Sequence, residues 1–428
     1  MKNNRSRRDT FGAAFEKATA ELLQKIFADA LDKKLKEKGI RFSQKKLNRA
    51  AASALKGEPI NLKTISERIK EALGIHVEET VIEFNDDDTK AIKIIADGLI
   101  EELPKVLQNL MESAPPSLSV VMKKNWRREK RMQARDKKGF SRRLEKRWGK
   151  GLDLLRMFIT ISREVGSNIN TDLRAVASTP QLVDVLTRLQ ARACQIAEEV
   201  VCLLEHGFSD GAMARWRTLY EVAVVSSLLS EHGEDLAARY VAHEVIESAR
   251  AARLFQKHHE RLGQTPMAPE EMADIERQRD ALIVRYGKDF GSSYGWASKH
   301  LGISSPKFSD LVAAAKIDHL SPYYKLASHN VHANPKGIFF QLGHIGVSEV
   351  LLAGPTNAGL ADPGHSTAIS LMQITMALAL LSPTVDDVIA VKILERLQDE
   401  IGDALLDSHV QLKRDEEKFG ATVIARTD

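Results

Sequence analysis

Ala212–Leu229 reads AMARWRTLYEVAVVSSLL. Its apolar residues recur at helical spacing around nearly the whole circumference, the pattern of a helix buried inside a bundle. The same stretch carries Arg217 and Glu221. Two further stretches share this habit: LAARYVAHEVIE (residues 236–247), with Arg239, His243 and Glu247, and YYKLASHNVHANP (residues 323–335), with Ser328 and His332. A charged side chain on an apolar helix is costly unless it is paired or used. These positions are therefore where chemistry, or a network that specifies packing, is expected.

Arg217 and Glu221 stand four apart and share one helix face, so they can pair. One reading is a buried structural ion pair; the other is an arginine fork for phosphate or carboxylate, oriented by Glu221. Arg239, His243 and Glu247 form an i, i+4, i+8 stripe that Arg250 continues. Such a stripe is either the solvated face of an amphipathic helix or, packed inward, a His243–Glu247 pair able to exchange a proton. Ser328 and His332 share a face of a helix that starts near Ser321-Pro322, where proline suits the first turn, and ends by Ala333-Asn334-Pro335. A helix-end histidine beside a hydroxyl suits a general acid or base, and equally suits a hydrogen bond to its own helix or a nearby loop.

Working outward, helical periodicity predicts further helices at about 152–164, 180–206, 209–231, 234–262, 269–286, 308–315, 365–381 and 384–416, joined by short turns such as His206-Gly207 and Glu231-His232-Gly233. Residues 338–362, with IFFQLGHIG and SEVLLAGPTNAGLADPG, are rich in glycine and β-formers and predict a small β-hairpin or an irregular flap. The fold expected is all-α, a multi-helix bundle with that one minor element. Residues 1–113 read as an N-terminal helical module ended by Ala114-Pro115-Pro116-Ser117, residues 114–150 as a basic connector helix, and residues 151–428 as the C-terminal bundle domain.

At 428 residues, 43% hydrophobic and 28% charged, the chain is long enough for a substantial core and has an ordinary globular composition. The longest apolar run, Ala368–Leu381, is interrupted by polar residues and too short to span a bilayer, so no membrane association is expected. No secretory signal is read at the basic N-terminus, and the two cysteines, Cys194 and Cys202, read as reduced core thiols eight apart on one helix. A cytoplasmic protein is expected. The net charge of +4 hides an asymmetry, because residues 123–150 hold fourteen Lys or Arg against three acids. Lys123, Lys124, Arg127, Arg128, Arg131, Arg142 and Arg143 read either as a solvated linker face or as contacts to nucleic-acid phosphates. Phosphate loops of Walker or dinucleotide type, a G-x-S-x-G elbow, H-E-x-x-H and paired C-x-x-C are absent from the sequence, and no cofactor and no metal site is expected.

From about Ala191 to Asp386 the chain resembles a family of uncharacterised bacterial helical proteins, a domain of unknown function. The resemblance rests on R-x-L-Y-E (Arg217 to Glu221), A-x-R-Y (Ala237 to Tyr240) and Y-x-x-x-S-x-x-x-H-x-N-P (Tyr324 to Pro335), followed by the turn Ala353-Gly354-Pro355. It implies that Arg217, Glu221, Ser328 and His332 belong together. In outline that assembly is also similar to the HEPN superfamily of helical-bundle ribonucleases, whose R-x(4-6)-H motif cleaves RNA without metal. Here Lys325 stands seven before His332, so the arginine would come from Arg217 on another helix. Two functions are expected as alternatives. One is a metal-independent RNA-cleaving effector of toxin or phage-defence type, with His332, Arg217, Glu221, Ser328, His243 and Glu247 at its site, RNA held by the basic segment, and a homodimer as the assembly. The other is a non-catalytic scaffold or sensor whose polar cluster is structural.

Overall fold

Proline at the start of a helix and glycine at its end punctuate this chain, and the elements follow that punctuation. A computed structural model describes residues 9–37, 41–55, 86–174, 178–345 and 351–424. In chain order the helices are α1 (Asp9–Glu37), α2 (Gln44–Leu55), α3 (Asp86–Arg174), α4 (Pro180–Glu205), α5 (Ser209–Ala242), α6 (Glu244–His258), α7 (Pro269–Tyr286), α8 (Ser298–Leu301), α9 (Phe308–Ala314), α10 (Ser321–Val331), α11 (Pro335–Phe339), α12 (Ala361–Ala379) and α13 (Val385–Ile424). No strand occurs among the described residues, so the fold is all-α. None of the described helices is long and apolar enough to cross a membrane.

The chain divides into two compact units, residues 1–131 and 132–428. In the first, α1 packs on α2 around a small core of Leu31, Leu35, Leu47 and Ala51, all buried. In the second, the C-terminal half of α3 joins α4, α5, α12 and α13 around one large core. Trp148, Leu155 and Phe158 of α3, Trp216 and Tyr220 of α5 and Leu371 of α12 lie fully inside it. Each such side chain contributes about 1.5–3 kcal/mol through removal of apolar surface from water. Two buried polar side chains there bond across helices, whereas the hydroxyls of Ser162 and Ser226 have no protein partner. Trp216 Nε1 donates to Ser366 O (2.9 Å) and Ser370 Oγ (3.0 Å). Gln190 Nε2 donates to Ser162 O (3.0 Å) and Thr375 Oγ1 (3.0 Å), tying α4 to α3 and α12.

Several local expectations are corrected. Helix α3 runs through Pro115 and Pro116, where a break was read from the sequence. The ring-fixed φ of proline is helical and the cost is a lost backbone donor; Ser117 Oγ donates to Ser113 O at 3.3 Å beside it. The turn expected at Glu231-His232-Gly233 is present, since Gly233, at φ 71°, ψ −152°, is non-helical and divides α5 into two helical stretches; the helix expected over 234–262 is in turn interrupted at His243, between α5 and α6. The β-hairpin expected within residues 338–362 is not seen in the described part of that segment, residues 338–345 and 351–362. Its polar groups are held by contacts other than a strand ladder. Thr356 N donates to Gly207 O (2.9 Å), Thr356 Oγ1 to Gly343 O (2.9 Å), and Trp148 Nε1 to Asn357 Oδ1 (2.9 Å). Gly207 is at φ 76°, and a Cβ there would sit 2.5 Å from Phe140 Cζ and 2.6 Å from Thr356 O, so only glycine fits where this segment docks on the α4–α5 turn. Of the two cysteines, Cys194 is buried, which pushes its thiol up to about 11, whereas Cys202 is exposed and not in the core.

Candidate functional site

Helix α10 lies on α5, and the contact is organised by one tyrosine. Tyr324 Oη accepts a hydrogen bond from Arg217 Nη2 (2.6 Å) and donates to Glu221 Oε1 (2.8 Å), while Arg217 Nη2 and Glu221 Oε1 are themselves 3.0 Å apart. The Arg217 guanidinium also lies over the Tyr324 ring, 4.7 Å from its centroid. Burial, reinforced by the Glu221 carboxylate, holds the Tyr324 hydroxyl proton far above the usual tyrosine range, with Arg217 opposing. Phe308 (5.0 Å between centroids) and Tyr220 (5.4 Å) wall the tyrosine in, and Tyr220 Oη donates to Ile317 O (3.0 Å) just before α10. Arg217 and Glu221 are therefore paired as their spacing predicts, half-buried, and closed on a third residue. Arg217 Nε is buried and has no protein partner.

The stripe from Arg239 to Glu247 turns inward at its first two members. Arg239 and His243 are each only 4% exposed. Arg239 Nε donates to Trp296 O (3.0 Å), and its guanidinium stacks on Tyr286 (4.9 Å) and Phe290 (5.2 Å), which fixes the segment between α7 and α8. His243 Nε2 lies 2.9 Å from Ser292 O, so that nitrogen carries the proton, and Nδ1 is 3.8 Å from Glu247 Oε1. Burial lowers the His243 pKa, against the Ser292 carbonyl and Glu247, so the neutral imidazole is favoured. Glu247 has emerged to the surface, where it pairs with Arg250, which also donates to Gly291 O (2.6 Å). A cleft of about 620 Å³ opens between these elements. Val222, Val225, Tyr240, Trp296 and Phe308 wall it; Glu221, His243, Glu244, Glu247 and Tyr294 bring polar groups to it. Burial and the Glu221 carboxylate raise the pKa of Tyr294, with Arg217 opposing and Glu247 adding to it.

Ser328 and His332 lie elsewhere. Ser328 Oγ donates to Tyr324 O (2.8 Å) within its own helix. His332 is the C-cap of α10, in an extended conformation (φ −99°, ψ 139°), and its backbone N–H donates to Ser328 O (3.1 Å). Its side chain is exposed and lines a second cleft, of about 340 Å³, with Asp210, His329, Asn330 and Gln341. Asp210 accepts from Asn330 Nδ2 (3.0 Å) and from Leu342 N (2.9 Å), which ties α10 and the following segment to the first turn of α5. The structure thus gathers Glu221, His243 and Glu247 at one cleft, with Arg217 behind Glu221, and places His332 at another. Lys123, Lys124, Arg127, Arg128, Arg131, Arg142 and Arg143 are exposed along α3. Among the described residues, no group of three or more His, Cys, Asp or Glu side chains is placed to hold a metal ion.

Three residues, one in the α5–α10 contact and one at each cleft, stand out only in the structure. Tyr324 looks in sequence like one of two adjacent aromatics at the edge of α10. Tyr294 sits in the short Ser292-Ser293-Tyr294 link, and Asp210 reads as an ordinary acid in the first turn of a helix. Only the R-x-L-Y-E and Y-x-x-x-S spacing hinted that α5 and α10 act together.

Residues 183–346 match the model of a family described as "Family of unknown function (DUF5677)". The matched span begins in α4, ends after α11 and contains both clefts. No curated protein and no solved structure matches the chain.

Proposed function

We propose that this chain is a non-catalytic helical sensor module, in which Arg217, Tyr324 and Glu221 brace α10 against α5 and the cleft beside Glu221 receives a small organic ligand. The observation that carries this reading is the cleft itself. At about 620 Å³, with aliphatic and aromatic walls and a few polar groups converging from α5, α6 and the segment around Tyr294, it has the size and lining of a small-molecule site. The charged network beside it closes on itself through Arg217 Nη2, Tyr324 Oη and Glu221 Oε1, as expected of a brace. The test is a thermal-shift screen of small organic molecules against wild type and Val225→Trp, which fills the cleft. Compounds that raise the melting temperature of wild type and leave the variant unmoved support the reading; a screen whose only hits act equally on both overturns it.

A second reading is a metal-independent RNA-cleaving effector of toxin or phage-defence type with a HEPN-like bundle. What favours it is the open position of His332 in a polar cleft beside Asp210 and His329, together with the exposed cationic face of α3. His332 would serve as general acid or base and the α3 cations would hold the RNA backbone. Arg217, the residue to stabilise phosphorane charge on that reading, is engaged by Tyr324 and Glu221 and lines neither cleft. Incubation of the purified protein with mixed RNA in EDTA decides it: cleavage in wild type that is lost in His332→Ala supports the effector, and intact RNA refutes it. Both readings place the chain in the cytoplasm, and a homodimer is the assembly proposed for the effector.

A further inference from the structure

The polar groups of the large cleft are not neutral in their sum. Three carboxylates reach it, Glu221, Glu244 and Glu247, and no lysine or arginine lines it. Two of the three have a cation behind them: Glu221 has Arg217 at 3.0 Å and Glu247 has Arg250. Glu244 accepts a hydrogen bond from Ser248 Oγ (2.5 Å) and has no ion-pair partner among the described residues. His243, between α5 and α6 at the cleft, is favoured in its neutral form by burial. The cleft therefore carries one carboxylate whose charge the protein leaves uncompensated.

Its walls add a second preference. Tyr240, Tyr294, Trp296 and Phe308 line the same space, and ring faces attract cations through their quadrupole, more strongly when the cation is desolvated. A phosphate or carboxylate ligand would meet three carboxylates with no donor of positive charge at the surface of the cleft. A neutral apolar ligand would leave the Glu244 carboxylate facing it without a cationic partner. We infer that the ligand of this cleft is a compact organic monocation with an aromatic or aliphatic body, an amine or quaternary ammonium compound. The inference rests on the sensor reading and gives its ligand a chemical class.

One aromatic body in three charge states tests it: tryptamine (cation), tryptophol (neutral) and indole-3-acetate (anion), titrated calorimetrically into the full chain. Tryptamine is expected to bind about tenfold more tightly than tryptophol, the size of one cation–π or charge contact in a partly desolvated site, and indole-3-acetate more weakly still. Glu244→Gln is expected to remove most of that tenfold preference, and Glu260→Gln, at an exposed carboxylate outside the cleft, to leave it unchanged. Tryptophol or indole-3-acetate binding as tightly as tryptamine overturns the inference while leaving a ligand cleft in place. If none of the three binds but the screen returns compounds sensitive to Val225→Trp and free of positive charge, the inference falls and the sensor reading stands. If neither experiment finds a ligand of the cleft, both fall.

Discussion

Tyr324→Phe removes one oxygen and tests whether the α5–α10 brace is what holds these helices together. The ring remains, so its contacts with Phe308, Tyr220 and the Arg217 guanidinium survive. Two hydrogen bonds to charged partners are lost, one to Arg217 and one to Glu221. A hydrogen bond to a charged group contributes about 1.5–3 kcal/mol when buried. Half-exposure of both partners brings each nearer to about 1 kcal/mol, and the Arg217–Glu221 pair stays in place so that neither charge is orphaned. The expected loss is therefore about 2 kcal/mol, or roughly 3 °C in melting temperature for a unit that spans residues 132–428. Urea denaturation followed by far-ultraviolet circular dichroism reads the first quantity directly. The variant should also change the alkaline limb of stability. Burial and Glu221 keep the Tyr324 proton bound in the folded protein to a higher pH than in the unfolded chain. Above about pH 10, where an ordinary tyrosine ionises, the folded state then holds more protons and stability falls as pH rises. Burial raises Tyr220, Tyr240 and Tyr294 in the same direction, so the signal is the difference between variant and wild type, with the variant falling less steeply. A Tyr324→Phe protein within about 0.5 kcal/mol of wild type, the range of an inconsequential surface substitution, with an unchanged alkaline slope, would refute the reasoning.

Other substitutions probe other parts of the fold. Because burial depresses the His243 pKa, the unfolded chain takes up its proton first as pH falls, so this contribution to stability is present above about pH 6.5 and is lost on acidification. His243→Gln, which keeps a donor within reach of Ser292 O, should flatten the fall in urea midpoint between pH 7.5 and 5.5, although His300 and His365 leave part of it in place. Trp216→Phe deletes the indole N–H that serves Ser366 O and Ser370 Oγ and leaves a gap in a sealed core, at an expected cost of about 2–4 kcal/mol by chemical denaturation. Gly207→Ala forces a Cβ against Phe140 and the Thr356 carbonyl at a positive φ, and should cost about 2 kcal/mol or more while raising protease sensitivity in residues 351–360.

The helical class and most helix starts were legible in the chain, because the signals are local. Pro180, Pro269 and Pro322 each stand in the first turn of a helix, and Gly207 and Gly287 mark ends at positive φ. The pairing of Arg217 with Glu221 was legible for the same reason, since four residues are one turn. What a face packs against is not local information. Periodicity drew the Arg239–His243–Glu247 stripe correctly but left open whether it faced water, and only the rings of Tyr286 and Phe290 and the carbonyls of Ser292 and Trp296 decide that its first half is buried. Glycine and β-formers in residues 338–362 pointed equally to a hairpin or a flap, and the outcome depended on docking sites at Gly207 and Trp148, far away in the chain. Sequence alone thus determined the all-α class, most helix starts and which polar residues sit on apolar helices. Tertiary structure decided their company, giving Tyr324 to Arg217 and Glu221 and sending His332 to a separate cleft, because side-chain neighbours come from helix packing between residues about a hundred positions apart.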